Sequence, residues 1–242
     1  MKSNKLCNLV PRVLSFPFPG AGERETLENA GHVSPSQKNS PVGVIVFRRF
    51  VHSNFSKHHL VLRSSMFYSS LHFAIVNSSY WNINLKPKQV QCLEAIYFGR
   101  DTIAVLPTGY GKSIIFHLLP GLFLHKINSR SRSQTESPIH PVIVVISPLN
   151  SLISDQIKRS TEGNVKAAIL NVRKAKDSDD LELDNTSETN SSWLKDAKYD
   201  IIFTHPEAVL SCKNGIELFQ STPYQRGVQA IVIDEAHCIL EW

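Results

Sequence analysis

Residues 106–113 constrain the fold more than any other part of the sequence. Their letters are LPTGYGKS, and they join an apolar run at 102–106 to an apolar helical stretch at 112–124. Glycines let backbone N–H groups turn toward a phosphate, and the N-terminus of the following helix adds its positive dipole. A strand, a glycine turn, Lys-Ser and a helix in this order predict a cradle for a nucleoside triphosphate.

Each part of this loop has an expected role. Lys112 is predicted to reach the β- and γ-phosphates, and the Ser113 hydroxyl to ligate Mg²⁺. The generic pattern has glycine where this chain has Leu106, and Thr108-Gly109 supplies the turn instead. The alternative is a tight strand-to-helix turn with a surface lysine. The predicted nucleotide contacts are Pro107, Thr108, Gly109, Tyr110, Gly111, Lys112 and Ser113.

Two acids at the end of the last apolar strand support the nucleotide interpretation. Residues 230–233 read AIVI and are followed by Asp234 and Glu235. Because ligands bind at the carboxyl ends of parallel strands, these acids are expected beside the loop. Asp234 is predicted to hold Mg²⁺ together with Ser113, and Glu235 to orient and deprotonate an attacking water. Taken alone, such a pair would equally be an exposed strand end.

From residue 85 onward, helical and strand-like segments alternate. Fully apolar strands between helices favour an α/β fold, a P-loop domain with a parallel sheet covered by helices on both faces. The polar stretches at 127–138 and 174–192 are expected to be surface loops. The predicted strands are 102–106, 142–147, 200–204 and 230–234, and the predicted helices are 88–98, 112–124, 149–158 and 206–210.

The first third of the chain has a different character. Residues 1–42 are rich in Pro, Gly, Ser and Asn, residues 43–51 could form one strand, and residues 60–77 show no clear helical face. We therefore expect a poorly ordered extension without motifs over 1–79 and the α/β domain over 80–242.

Charge separates the same two regions. The chain carries a net charge of +5, but residues 1–78 hold nine basic and three acidic residues, and residues 79–242 hold 17 and 18. The basic first segment leaves a mitochondrial transit peptide open. The nearly neutral second segment would contact nucleic acid through individually placed groups rather than a broad basic field.

Composition excludes two further classes of protein. No apolar run approaches the roughly 18 residues of a membrane span, so no membrane partner is expected. The four cysteines are scattered without a C-x-x-C pair, which fits neither a zinc module nor a disulfide scaffold. A reducing compartment is therefore expected.

The motifs LPTGYGKS, SPLNSLISDQI and DEAHCILEW together resemble the first motor domain of RecQ-type superfamily 2 DNA helicases. The resemblance covers about residues 80–242. It implies an incomplete RecA-like domain that ends just after the DEAH motif, with a second RecA-like domain absent from this chain. It also implies ATP and Mg²⁺ as cofactors and DNA, single-stranded or 3′-tailed duplex, as the partner.

The resemblance assigns further residues to roles. It implies adenine recognition by Lys86 and Gln89, with Tyr80 or Trp81 stacking on the base. His237 would link the ATP site to the DNA side, and Trp242 would stack on DNA bases. The segment implied to contact the DNA backbone consists of Ser147, Pro148 and Leu149.

The resulting hypothesis is an ATP-dependent 3′–5′ DNA helicase, nuclear and acting in DNA repair and recombination, of which this chain is an N-terminal fragment. The fragment alone is expected to bind Mg-ATP weakly at best and not to unwind DNA. Two alternatives stay open: a non-catalytic nucleotide-binding or interaction module, and a superfamily 2 RNA helicase.

Overall fold

Strands and helices alternate along the part of the chain that the computed structural model describes, which is residues 42–49, 60–78, 80, 82–130, 138–148, 150–162, 165–174, 181–184 and 189–236. The strands are β1 (Val42–Arg49), β2 (Thr102–Pro107), β3 (Val142–Ile146), β4 (Ala167–Lys174), β5 (Leu181–Asp184), β6 (Ile201–Thr204) and β7 (Val228–Ile233). The helices are α1 (Leu60–Val76), α2 (Pro87–Tyr97), α3 (Lys112–Asn128), α4 (Asn150–Glu162), α5 (Ser191–Lys195), α6 (Pro206–Leu210), α7 (Lys213–Gln220) and α8 (Thr222–Gly227).

The described strands form one sheet in the order β2-β1-β7-β3-β6-β4-β5. Strands β7, β3, β6 and β4 are parallel neighbours, with Val144 opposite Ile231 on one side and Ile202 on the other. All five residues of β3 are buried, as expected for a central strand covered on both faces. The sequence prediction of an α/β fold with a largely parallel sheet is confirmed.

Two apolar clusters cover the opposite faces of this sheet. Alternate residues of β3 point to opposite sides, so Ile143 and Val145 belong to one cluster, and Val144 and Ile146 belong to the other. The first cluster includes buried side chains of α1, α2 and α3. The second includes side chains of α5, α6, α7 and α8. Helices therefore lie on both faces, as predicted.

Residues 60–77 differ from the sequence expectation, because α1 is a regular helix packed against α3. Its buried stripe consists of Phe67, Ser70, Leu71 and Ala74. A serine lies within this stripe, while large apolar side chains such as Met66 and Tyr68 are exposed, so the sequence shows no helical face. The two helices approach closely: a Cβ at Gly121 would lie 3.0 Å from the Ala74 Cα.

The region before residue 80 also contributes β1. This strand lies between β2 and β7 and is antiparallel to both, with Val46 paired to Ile103 on one side and Ile233 on the other. The strand expected at 43–51 is therefore present over 42–49. The strand β1 and the helix α1 are regular elements within the segment expected to be a poorly ordered extension, and residues 1–41 and 50–59 lie outside the described residues.

The acidic stretch at 174–192 also differs in part from the expected loop. Its residues 181–184 form β5, which pairs antiparallel with β4 at the end of the sheet, Val172 opposite Leu183. Residues 131–137 of the other expected loop lie outside the described residues. Within the described segments, no helix combines the length and apolar character needed to cross a membrane.

Candidate nucleotide-binding site

The phosphate loop connects the end of β2 at Pro107 to the start of α3 at Lys112. Gly109 and Gly111 have φ values of 76° and 90°, in the left-handed region that glycine adopts without strain. The Tyr110 N–H donates to the Pro107 carbonyl at 3.1 Å, which closes the turn. The backbone thus enters α3 through a glycine turn, as the sequence predicted, and the N-terminus of a 17-residue helix follows it directly.

The side chain of Gln89 in α2 forms hydrogen bonds with the backbone of this loop. Its side-chain Nε2 donates to the carbonyls of Tyr110 and Gly111, each at 3.0 Å. Its Oε1 accepts from the Lys86 backbone N–H at 2.7 Å, and the residue is only 2% exposed. Both amide hydrogens are therefore engaged with the loop. The Lys86 Nζ lies 4.4 Å from the centre of the Tyr110 ring, a cation–π distance that adds a second contact between α2 and the loop.

The acidic end of the site follows β7. The backbone N–H of Asp234 donates to the Ile146 carbonyl at 2.9 Å, which extends the pairing of β7 with β3 by one residue. The Asp234 carboxylate is buried and accepts the Glu235 N–H at 3.0 Å. Glu235 has a φ of 49°, an unusual conformation for a residue with a side chain, and it turns the chain away from the strand.

An ion pair joins the loop to this acidic turn. The Lys112 Nζ lies 3.3 Å from the Glu235 Oε1, and the side chains are 12% and 20% exposed. Restricted solvent access strengthens such a pair relative to one on an open surface. The structure therefore brings together the two residues that the sequence predicted as phosphate ligand and catalytic base.

Ser113 is positioned by a residue that the sequence analysis did not assign to the site. The Gln156 Nε2 of α4 donates to the Ser113 Oγ at 3.0 Å, and the Gln156 Oε1 lies 2.8 Å from the His117 Nε2. Burial lowers the pKa of His117, so its ring is neutral at pH 7. The neutral ring donates from Nε2 to this oxygen, because the Gln156 carbonyl oxygen can only accept. The sequence feature that relates to this contact is the spacing of Ser113 and His117, which lie one helical turn apart.

The predicted DNA-contacting segment begins where β3 ends. Its first residue, Ser147, is 2% exposed, and its N–H donates to the Thr204 carbonyl at 3.0 Å. Among the described residues, the Ser147 Oγ has no hydrogen-bond partner.

The other residues predicted to contact DNA or the base are described only in part. Pro148 is partly exposed. The other residues predicted on the DNA side, Leu149, His237 and Trp242, and the candidate stacking residue Trp81 lie outside the described residues. The Tyr80 ring packs edge-on against His117 at 6.0 Å.

The oxygen ligands beside the lysine suit a hard cation. Asp234 supplies a buried carboxylate, and Ser113 supplies a hydroxyl that keeps one lone pair after accepting from Gln156. Mg²⁺ prefers such oxygen ligands and retains several waters and phosphate oxygens in its coordination shell. In the described chain, no cluster of three His, Cys, Asp or Glu side chains is arranged to hold a metal. The donor set fits a cation that arrives with a nucleotide.

The family model of DEAD/DEAH box helicases matches residues 86–242, well over half of the chain. This chain belongs to the DEAD/DEAH box helicase family. The match begins at the start of the segment that contains Gln89 and includes both the phosphate loop and the acidic turn. The β1 strand and α1 precede the matched residues.

Several curated relatives are similar to this helicase chain. The mouse bifunctional 3′-5′ exonuclease/ATP-dependent helicase WRN is 31% identical over 174 residues, which is 64% of this chain and 10% of the relative. The probable ATP-dependent DNA helicase RecS of Bacillus subtilis is 32% identical over 160 residues, 66% of this chain and 26% of the relative. The RecQ-like DNA helicase BLM of Xenopus laevis is 29% identical over 161 residues, 65% and 10% respectively. These matches confirm the resemblance to RecQ-type helicases, and the chain spans 10–26% of the length of these three relatives.

Proposed function

We propose that this helicase chain is the first ATP-binding motor domain of a RecQ-like 3′–5′ DNA helicase that couples Mg-ATP hydrolysis to unwinding. The observation that carries the proposal is the 3.3 Å contact between Lys112 of the loop and Glu235 of the acidic turn. A phosphate-binding cation and a carboxylate base, held at the carboxyl edge of one sheet, are the two groups that nucleotide hydrolysis requires.

Different residues of the site would carry out the separate parts of ATP hydrolysis. Backbone N–H groups of the glycine turn and the Lys112 ammonium would bind the phosphates, and Glu235 would accept a proton from the attacking water. The water oxygen forms a bond to the γ-phosphorus while the bond from that phosphorus to the bridging oxygen of ADP breaks. Ser113 and Asp234 would hold Mg²⁺, which neutralises phosphate charge when bound.

A bound nucleotide would compete with Glu235 for Lys112, because the phosphates bring further negative charge to the same ammonium, whose three N–H donors can turn toward either group.

Single-stranded or 3′-tailed DNA is the proposed partner, and the nucleus is the proposed location, both inferred from the RecQ-type relatives. Support for the DNA side comes from Ser147 and Pro148, which follow β3 at the same sheet edge as the nucleotide site. Adenine recognition by Gln89 and Lys86, for which Gln89 would have to leave its contacts with the loop, and DNA contacts by Leu149, His237 and Trp242 are part of the same proposal. A second RecA-like domain would complete the motor, so the chain alone is expected to bind Mg-ATP weakly and not to unwind a 3′-tailed duplex.

The proposal is tested by ATP hydrolysis with and without single-stranded DNA or RNA of the same sequence. We expect a low basal rate that DNA raises more than RNA and that Lys112→Ala abolishes. Greater stimulation by RNA would favour the RNA helicase alternative. Nucleotide binding without hydrolysis under any condition would favour the non-catalytic module.

A further inference from the structure

Helices α3 and α4 are joined by polar contacts directly behind the nucleotide site. Ser113 and His117 lie one turn apart on α3, and Gln156 and Ser160 lie one turn apart on α4. The Gln156 amide contacts both α3 residues, at 3.0 Å and 2.8 Å. The Ser160 Oγ donates to the backbone carbonyl of Gln156 at 2.9 Å and lies 3.4 Å from the His117 Nδ1. The Gln156 side chain is thus held at both ends of its amide.

The direction of each hydrogen bond follows from the chemistry of the groups. The amide nitrogen of Gln156 can only donate, so the Ser113 Oγ accepts from it. A serine hydroxyl has two lone pairs and one hydrogen, and this bond uses one lone pair. The other lone pair stays available for a cation, and the bond from Gln156 holds the Ser113 oxygen in place.

His117 contacts the oxygen end of this amide. The Gln156 Oε1 lies 2.8 Å from the His117 Nε2, and His117 is only 3% exposed. Because the ring is enclosed by Phe116, Tyr80 and Phe203, it has little freedom to turn. The Gln156 amide therefore lies between a buried ring and the Ser113 hydroxyl, with one contact at each end.

We propose that Gln156 is a positioning residue that holds the Ser113 hydroxyl in the orientation that binds the nucleotide-associated Mg²⁺. The proposal rests on the proposed function of the site as a Mg-ATP site. Partners behind a metal ligand typically change metal affinity by 10- to 100-fold when they are removed. A hydrogen bond to one neutral hydroxyl belongs at the lower end of that range.

The test compares ADP binding in Mg²⁺ with ADP binding in EDTA, by calorimetry on residues 1–242. The ratio of the two dissociation constants measures how much Mg²⁺ strengthens binding. We expect Gln156→Met to reduce this ratio about tenfold, with the dissociation constant in EDTA nearly unchanged. Gln156→Asn keeps a polar amide that is one methylene too short, so it should give the same loss and serves if the methionine variant does not fold. The exposed Lys158→Met on the same helix is the matched control and should keep the wild-type ratio.

A double-mutant cycle tests whether the effect passes through Ser113. The variant Ser113→Ala should lose the Mg²⁺ enhancement, and adding Gln156→Met to it should cause no further loss. A purely structural role would weaken binding in EDTA and in Mg²⁺ alike and would overturn the proposal. An unchanged ratio in both Gln156 variants, with a wild type that responds to Mg²⁺, would overturn it while leaving the nucleotide site intact. A wild type without any Mg²⁺ enhancement would overturn both.

Discussion

Lys112 and Glu235 are separated by 123 positions in the sequence, yet the Nζ of one lies 3.3 Å from the Oε1 of the other. The contact joins the first turn of α3, which follows β2, to the turn after β7, and β1 lies between β2 and β7 in the sheet. It places the cation of the phosphate loop and the acid of the DEAH motif within one site. The pairing also predicts how the two residues respond to substitution.

Glu235→Gln should separate nucleotide binding from hydrolysis. The amide removes the base and also releases Lys112 from its ion pair, so the dissociation constant for Mg-ATP should stay equal or decrease. The hydrolysis rate should fall by about 10²- to 10⁴-fold, the usual contribution of a general base. Nucleotide binding and single-turnover hydrolysis measure the two effects. Glu217→Gln, which lies in an exposed ion pair with Lys213, should change neither, and an equal loss of binding and rate in Glu235→Gln would contradict this role.

The two loop glycines should differ in their tolerance of alanine. Both have positive φ, so alanine strains the backbone at either position by about 1–2 kcal/mol. A Cβ at Gly111 would also lie 2.7 Å from the Gln89 Nε2, whereas a Cβ at Gly109 would have no neighbour within 4 Å. Gly111→Ala should therefore displace Gln89 and weaken Mg-ATP binding more than Gly109→Ala. Equal dissociation constants for the two variants would show that Gln89 does not support the loop.

The helix α1 should contribute to the stability of the domain although it precedes the residues that match the family. Leu71 is buried in the α1–α3 contact, and its truncation to alanine should lower the free energy of unfolding by about 2–5 kcal/mol. Val76, on the same helix, is 54% exposed, and Val76→Ala should change the free energy of unfolding by less than about 0.5 kcal/mol. Urea unfolding measures both. If Leu71→Ala were as stable as the control, α1 would not be part of the folded unit.

Stability should decrease as the pH falls toward 5.5, in part because of His117. Burial lowers the pKa of His117 in the folded chain, so the unfolded chain takes up a proton at a higher pH than the folded chain does. Between about pH 6.5 and the lower folded pKa, this group alone should reduce the free energy of unfolding by up to about 1.4 kcal/mol per pH unit.

Urea unfolding of His117→Asn between pH 5.5 and 8 measures that share. The substitution removes the titrating ring, so the dependence of stability on pH should become shallower. The exposed His72→Asn is the control and should keep the wild-type slope. A wild-type slope in His117→Asn would mean that the folded chain protonates this ring as readily as the unfolded chain.

The sequence predicts those parts of the fold that depend on the local pattern of apolar residues and glycines. The run 142–146 is apolar at every position because both faces of β3 are covered, and the glycine turn at 109–111 follows from backbone geometry. Helix α1 was missed because Ser70 lies in its buried stripe while Tyr68 is exposed. Only the packing against α3 distinguishes these two positions.

Pairing between distant segments accounts for the other differences. The strand β5 was read as part of an acidic loop, because its pairing with β4 depends on the sheet and not on its own pattern. The resemblance places Gln156 in the motif SPLNSLISDQI on the DNA side, and its contact with Ser113 is not predicted because the hydrogen bond joins residues 43 positions apart. The residue types and spacing at Lys112, Ser113, Asp234 and Glu235 predict their roles, whereas the side chains that contact them depend on tertiary structure.

Equilibrium binding of Mg-ATP to residues 1–242 shows whether Lys112 binds the phosphates of the nucleotide. We predict measurable, weak binding by the wild type and a dissociation constant at least tenfold higher for Lys112→Ala, because a phosphate-binding charge is lost. The exposed Lys158→Ala should bind as the wild type does. Equal dissociation constants for Lys112→Ala and wild type, or no binding by the wild type, would mean that Lys112 is not a phosphate ligand.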